Sequence, residues 1–209
     1  LECVGSELPV TVARDPAALD WDAPGILALE PPRAGGWPPV APGAVCAEGG
    51  EAAYRAVALA ARMAMEGRVD ALCTAPLHKK ALQMAGHRFP GHTEILASAA
   101  GVERPVMLLQ GGGLRVALVT IHKPLRQALD DVTPGAILSV VRIVHAALAA
   151  DWEIAAPRVG VAGLNPHAGD GGVLGAEDAE IVAPAIEAAR AEGIAVSGPW
   201  PADTVFHRM

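Results

Sequence analysis

The chain has 209 residues, of which 52% are hydrophobic and 19% charged, so it can build a sizeable core and wholesale disorder is excluded. The net charge of −7 argues against a nucleic-acid binder, because such proteins need a stripe of Lys and Arg to neutralise the phosphates of the nucleic acid. No apolar run is long enough to predict a membrane helix. The first residues also lack the basic and then apolar pattern of a secretory signal peptide. The three cysteines (Cys3, Cys46 and Cys73) lie far apart, which argues against a disulfide framework and favours a reducing cytoplasm.

In the first half of the chain, proline and glycine punctuate residues 1–48, and this pattern predicts one or two short strands within 9–12 and 25–29. Apolar residues at three- and four-residue spacing predict a helix over 51–66 that ends at Gly67. A strand over 69–73 should follow, and then a short helix that ends near Gly86. The loop 89–94 should lead into a helical turn over 95–100.

In the second half, two apolar runs over 106–110 and 114–120 flank three glycines, which predicts an antiparallel hairpin. One helix should begin near Pro124, and Thr133-Pro134 should cap a second that runs to about Ala150. A buried strand over 159–162 and a helix over 176–186 complete the pattern. The alternation predicts an α/β fold with a mixed, mostly parallel sheet.

The loop Gly163–Gly172 joins a predicted strand to a predicted helix and holds one imidazole, one amide and one carboxylate among its glycines. Ligands of open α/β sheets bind at such loops, beyond the carboxyl ends of the strands. A plain turn would also collect Asn, Pro, Asp and Gly, but it needs only two or three of them. The length of this glycine-rich stretch favours a site.

Two histidines follow predicted strands: His122 after the strand over 116–120, and His167 after the strand over 159–162. Neutral imidazoles that meet at one sheet edge can bind a divalent metal such as zinc. Two ligands are too few for a tight site, and Asp170 and Asp203 are the local candidates for a third. A single histidine is better explained as an ordinary loop residue, and only the pair at two strand ends favours a metal.

A second loop places His92 and Thr93 at the start of a predicted helix, where free N–H groups attract phosphate or carboxylate. The alternative is that Thr93 caps the helix while His92 faces solvent. The run His78-Lys79-Lys80 can add positive charge at another helix start, or its lysines can simply be solvated. Since no dinucleotide fingerprint, Walker loop or nucleophile elbow is present, the residues alone indicate an α/β enzyme for an anionic substrate, with or without a metal.

Five motifs, in order along the chain, closely resemble the 4-hydroxythreonine-4-phosphate dehydrogenase family of vitamin B6 biosynthesis. They are Thr74–Lys79, Gly91–Glu94, Thr120–Arg126, Gly163–Gly172 with Gly175, and Gly198–Thr204. The resemblance implies a three-layer α/β/α fold like that of the isocitrate and isopropylmalate dehydrogenases. It also implies a homodimer that uses NAD or NADP and a divalent metal (Zn, Mg or Co).

The implied reaction oxidises 4-phosphohydroxy-L-threonine to a β-keto acid, which decarboxylates to 3-amino-2-oxopropyl phosphate. By the same resemblance, His92 and Thr93 contact the substrate. His122 and His167 are two of three histidine ligands in a metal site shared between subunits, and Asp203 or Asp170 orients a ligand or relays a proton. No residue is assigned to the dinucleotide.

The sequence also departs from the family pattern. It lacks the family's opening strand with a Gly-Glu-Pro-Ala-Gly-like loop, and it stops before the segment with the third histidine and the later Lys, Asn and Arg substrate contacts. We therefore expect residues 1–209 to be an internal portion of one two-lobed subunit, with weak or absent catalysis alone. The alternatives are a dehydrogenase of threonate or erythronate 4-phosphate, a phosphotransacetylase-like acyltransferase, and an inactive truncated remnant.

Overall fold

Two units make up the chain in the computed structural model, which describes residues 7–207; the units cover 1–105 and 106–209. The first unit contains strands β1 (Val10–Ala13) and β2 (Ile26–Leu29) and helices α1 (Ala47–Met65), α2 (Lys79–Met84) and α3 (His92–Ala100). The second contains β3 (Leu108–Gly111), β4 (Leu114–Ala117), α4 (Leu125–Asp131), α5 (Pro134–Ala150), β5 (Val159–Ala162), α6 (Ala183–Ala191) and β6 (Val196–Trp200).

The first unit is held together by α1, which packs against both α2 and α3. Its core uses small and medium apolar side chains, among them Leu59 of α1, Leu82 of α2 and Ile95 of α3, all of which are buried. Leu82 has no exposed surface. Strands β1 and β2 pair in parallel, with Val10 opposite Ile26.

Gly50 sets how closely α1 and α2 approach. It is buried, and a Cβ atom built on it would lie only 2.0 Å from the carbonyl oxygen of Ala81. A backbone atom cannot swing away as a side chain does, so any residue other than glycine must push the helices apart. Gly49 differs, because its Cβ would meet nothing closer than the Cys46 Sγ at 3.6 Å.

We expect Gly50→Ala to lower the free energy of unfolding of the first unit by about 2 kcal/mol, the ordinary cost of overpacking a core. Gly49→Ala is the matched control, since it adds the same methyl group in the same helix turn without a clash. It should be neutral or should stabilise by up to about 1 kcal/mol through helix propensity. Urea unfolding followed by circular dichroism measures both, and equal midpoints for the two variants would contradict the packing argument.

In the second unit, β3 and β4 form the predicted antiparallel hairpin, with Gly111 opposite Leu114. The turn is shorter than predicted, because Gly111 belongs to the strand and only Gly112 and Gly113 connect the two strands. Their φ angles of 57° and 85° suit a two-residue hairpin turn that requires positive φ at both positions.

The rest of the second unit is a strand–helix–strand arrangement in which β5 and β6 pair in parallel, with Val159 opposite Val196. Helices α5 and α6 pack on each other and cover this pair. Their core is almost purely aliphatic and includes Ile137, Val141, Val182, Ile186 and Val196. This arrangement places the glycine-rich loop at the carboxyl end of β5, as predicted.

Some predicted boundaries are wrong. No strand lies between α1 and α2 in the described part of the chain, because residues 69–73 find no partner strand for their backbone groups. Helix α1 begins at Ala47, four residues before the prediction, since the Cys46 Sγ accepts a hydrogen bond from the Gly49 N–H at 3.4 Å. The predicted start of α5 is confirmed, because Thr133 Oγ1 accepts from the Ala136 N–H at 3.1 Å.

Within residues 7–207, no single helix has the length and apolar character needed to cross a membrane. Only the pair α4 and α5, bent by 82° where they join, reaches that length and composition together. Cys46 and Cys73 are free thiols, and Cys3 lies outside the described residues.

Candidate functional site

The loop after β5 forms a left-handed turn. From His167 to Gly171 every residue has a positive φ, with values of 55°, 56°, 81°, 45° and 65°. Only glycine adopts this region without steric cost, yet His167, Ala168 and Asp170 also occupy it. Strained backbone of this kind persists only where surrounding contacts hold it, and it concentrates at functional sites.

Asp178 holds the start of this loop. Its Oδ1 accepts the Leu164 N–H at 2.7 Å and its Oδ2 accepts the Asn165 N–H at 2.9 Å. The side chain belongs to a π-helical turn, Asp178–Val182, and the residue is only 2% exposed. Gly163 is required beside it, because a Cβ there would lie 2.9 Å from the Asp178 Oδ1. The sequence indicated acidic residues at this helix start but did not assign Asp178 a role at the site.

A second contact ties the same two segments together at the surface. Asn165 Nδ2 donates to the Glu177 Oε2 at 2.8 Å. The pKa of Glu177 is lowered from its ordinary value, chiefly because its carboxylate accepts its own backbone N–H and secondly because it accepts from Asn165. The side-chain amide of Asn165 therefore connects the loop to the start of the following helix.

His167 lies beside Asp203, with its Nδ1 atom 3.3 Å from the Asp203 Oδ2. Both side chains are exposed, at 63% and 48%. A carboxylate beside one imidazole nitrogen orients the ring and leaves the other nitrogen for a metal, as second-shell carboxylates do. The structure therefore pairs two of the predicted site residues, while Asp170 lies exposed on the same left-handed turn.

His122 is exposed and has a φ of 53°. Strand β4 ends at Ala117 and not at Thr120 as predicted, because β3 begins at Leu108, opposite Ala117. The loop that holds His122 is fastened instead by an ion pair from Lys123 to Asp131 of α4. Of the five non-glycine residues with positive φ in the described chain, three are predicted site residues: His122, His167 and Asp170.

His122 and His167 have the donor chemistry of a zinc, cobalt or nickel site, and both are open to solvent. However, no group of three His, Cys, Asp or Glu side chains that could hold a metal exists among the described residues. These two histidines can therefore supply only part of a ligand set, and their role as ligands stays a prediction.

In the first unit, His92 is the first residue of α3, and Gly91 is its N-cap without any side-chain cap bond. Thr93 lies inside the first turn, so the alternative in which Thr93 caps the helix is wrong. Both side chains are half-buried. The free N–H groups of this first turn can take an anionic group, which is compatible with the predicted substrate contact.

His78 and His87 have contacts that the sequence did not indicate. His78 caps α2, and its Nδ1 accepts the Ala81 N–H at 3.4 Å. His87, expected at the surface, is half-buried, and its Nε2 lies 2.6 Å from the Glu51 Oε2. This contact, followed by the hydrogen bond from Arg55, lowers the pKa of Glu51. Nothing in the sequence could have found a pair 36 positions apart.

Comparison with known proteins identifies the family. Residues 15–209 match the family described as "Pyridoxal phosphate biosynthetic protein PdxA". The chain is 52% identical over 158 residues to a 4-hydroxythreonine-4-phosphate dehydrogenase of Geobacter metallireducens. The aligned residues make up 76% of this chain and 46% of that protein. It is also 47% identical over 167 residues to a D-threonate 4-phosphate dehydrogenase of Bordetella bronchiseptica. These aligned residues make up 80% of this chain and 47% of that protein.

Among solved structures, the chain resembles a 4-hydroxythreonine-4-phosphate dehydrogenase of Klebsiella pneumoniae. The TM-score is 0.87 at 38% identity, covering 97% of this chain and 61% of that one. The likeness confirms the predicted α/β fold class. The chain spans about half the length of the curated relatives it matches. The prediction that it is an internal portion of a two-lobed subunit stays a prediction.

The family match covers nearly the whole chain, and the relatives agree with it in both sequence and fold. The chain belongs to the pyridoxal phosphate biosynthetic protein PdxA family.

Proposed function

We propose that the protein is an NAD(P)- and divalent-metal-dependent dehydrogenase of 4-phosphohydroxy-L-threonine. Its β-keto acid product would decarboxylate to 3-amino-2-oxopropyl phosphate, a step of pyridoxal phosphate biosynthesis. The observation that supports this most is the likeness, over nearly the whole chain, to proteins named for that activity. We also propose that the active form is a homodimer whose metal site is shared between subunits.

The residues of this chain divide the work between binding and positioning. His92 and Thr93 would contact the anionic substrate at the first turn of α3. His122 and His167 would contribute two ligands to the metal, with Asp203 orienting the His167 ring. When bound, the divalent ion supplies Lewis acidity toward the substrate oxygen, and the nicotinamide is the hydride acceptor. The left-handed turn would leave backbone close to the bound substrate, since its glycines have no side chains.

A second candidate substrate is D-threonate 4-phosphate, because one relative of comparable identity is named for it. Both candidates are four-carbon chains with a terminal phosphate and a secondary alcohol. They differ at the carbon next to the carboxylate, where one has an amino group and the other a hydroxyl group. The choice between them therefore depends on contacts to that one substituent.

The test measures reduction of NAD and of NADP with each acid, on the protein at the length its gene encodes and on the 209-residue chain. We expect turnover with one acid, lost on complete chelation and restored by Zn²⁺, Co²⁺ or Mg²⁺. We expect the 209-residue chain alone to give at most a trace, because its described residues offer no third metal ligand. Turnover that survives complete metal removal would contradict the proposed mechanism, and failure with both acids would contradict the proposed function.

A further inference from the structure

A pocket of about 750 Å³ in the first unit has no assigned role. It is lined by Lys79, Gln83, Gly86, Arg88, Phe89 and Pro90. The lining holds two positive charges and one amide, and it includes no carboxylate. This is an unusual lining for a chain whose net charge is −7.

The two cations of this pocket are unpaired. Neither the Lys79 ammonium nor the Arg88 guanidinium makes an ion pair or a side-chain hydrogen bond with any residue between 7 and 207. They differ in this from Arg55, which pairs with Glu51, and from Arg142, which pairs with Glu192. Two cations beside one concavity repel each other, and an anion between them removes that repulsion.

The walls of the pocket are fixed by contacts on both sides of Arg88. His87 precedes it, with its N–H bonded to the Leu82 carbonyl at 2.9 Å and its ring stacked on Tyr54 at 3.6 Å between centroids. Phe89 follows it and also stacks on Tyr54, with 5.8 Å between ring centroids. Arg88 therefore projects from an anchored backbone, so this backbone loses little conformational freedom when a ligand binds.

The opposite wall is equally well supported. Lys79 and Gln83 stand four residues apart on α2 and so share one face of that helix. The helix is held to α1 through the fully buried Leu82 and the close contact of Gly50 with Ala81. The charged groups are thus mounted on two rigid segments that face one space.

We propose that this pocket binds a phosphoryl group of a phosphate-bearing ligand. Arginine donates two N–H groups in a fork that matches phosphate oxygens, lysine adds a point charge, and glutamine adds a neutral donor. Phe89 and Pro90 give an apolar surface for the organic part next to the phosphate. The proposal rests on the proposed function only for the source of that phosphate, which is either the dinucleotide or the phosphorylated hydroxy acid.

The experiment titrates the 209-residue chain by calorimetry at low salt with four probes: inorganic phosphate, NAD, NADP and 4-phosphohydroxy-L-threonine. Lys79→Gln and Arg88→Gln should each weaken binding by about tenfold, since each removes one charge-assisted contact. Lys80→Gln is the matched control: Lys80 is the next residue, is also exposed, and lies outside the pocket lining. It makes the same change in net charge and should alter affinity less than twofold.

If NAD or NADP binds more tightly than the other probes, the source of the phosphoryl group is the cofactor. If 4-phosphohydroxy-L-threonine binds most tightly, the source is the substrate. Equal loss in the Lys79 and Lys80 variants would overturn the proposal, because it would reduce the effect to general charge. Absence of binding by the unaltered chain at millimolar probe would also overturn it. Phosphate binding that depends on Lys79, together with no turnover of either acid by the protein at the length its gene encodes, would support the pocket and contradict only the proposed function.

Discussion

Asp178→Ala is expected to lower the free energy of unfolding of the second unit by about 3 kcal/mol. Asp178 is the one charged side chain among the buried residues described, and it accepts backbone N–H groups from both Leu164 and Asn165. Alanine would leave two N–H groups without a partner in a partly buried position. Hydrogen bonds to a charged acceptor are worth more than neutral ones, so the loss should exceed that of an ordinary surface substitution.

We call the two hydrogen bonds from the Leu164 and Asn165 N–H groups to the Asp178 carboxylate the Asp178 clamp. Two further variants separate the effect of this clamp from a general loss of charge. Asp178→Asn keeps the size but has one acceptor oxygen, so it should retain only one of the two bonds and give an intermediate loss. Glu180→Ala removes a carboxylate from an exposed position in the same helical turn and should change stability by less than about 0.5 kcal/mol. Amide hydrogen exchange is the direct readout: unaltered protection of the Leu164 and Asn165 amides in Asp178→Ala would contradict the clamp.

This clamp explains why the sequence predicted the loop but not its shape. The strand before the loop and the density of glycine are both visible in the sequence, and the structure has the loop directly after β5, as they predict. The left-handed conformation of His167 and Asp170 was not visible, because local sterics oppose it at both residues. The start of the loop is held by Asp178, which lies 13 and 14 positions from the two amides it binds, and such a contact is not visible in the sequence either.

Elements with strong local signals were predicted well. Thr133-Pro134 gave the start of α5, and the glycines gave the antiparallel hairpin, because a cap and a positive-φ turn are specified by the residues themselves. The strand predicted over 69–73 was wrong for the opposite reason. Its short apolar run allows a strand, but only a neighbouring strand can supply the backbone hydrogen bonds that make one.

The same distinction applies to the site residues. His167 and Asp203 were selected because each follows a strand or lies in a motif, and the structure places their side chains together. The link between Glu51 and His87 was missed, since it joins α1 to a loop far along the chain. Residue type and position in an element can nominate a site residue, whereas a contact between distant elements requires the fold.

The largest functional effect is expected from the histidine pair. His122→Ala and His167→Ala should each abolish measurable Zn²⁺ binding to the 209-residue chain, because each would leave only one of the two ligands. The unaltered chain should itself bind zinc weakly, since no third ligand lies among its described residues. Competition with a chromogenic chelator measures these affinities without any enzymatic turnover.

Asp203→Asn tests how the ring of His167 is positioned. Asparagine keeps the shape beside the imidazole but removes the charge next to its Nδ1, so zinc affinity should fall by about tenfold, less than for loss of a ligand. His145→Ala is the control, because His145 lies inside helix α5 and not in either loop of the proposed metal site, so zinc affinity should be unchanged. If zinc affinity is the same in all four variants, the ligand roles of His122 and His167 are wrong, and the strained backbone at both residues needs another explanation. If only the two ligand variants respond, Asp203 does not position the ring, and the 3.3 Å contact is an ordinary surface ion pair.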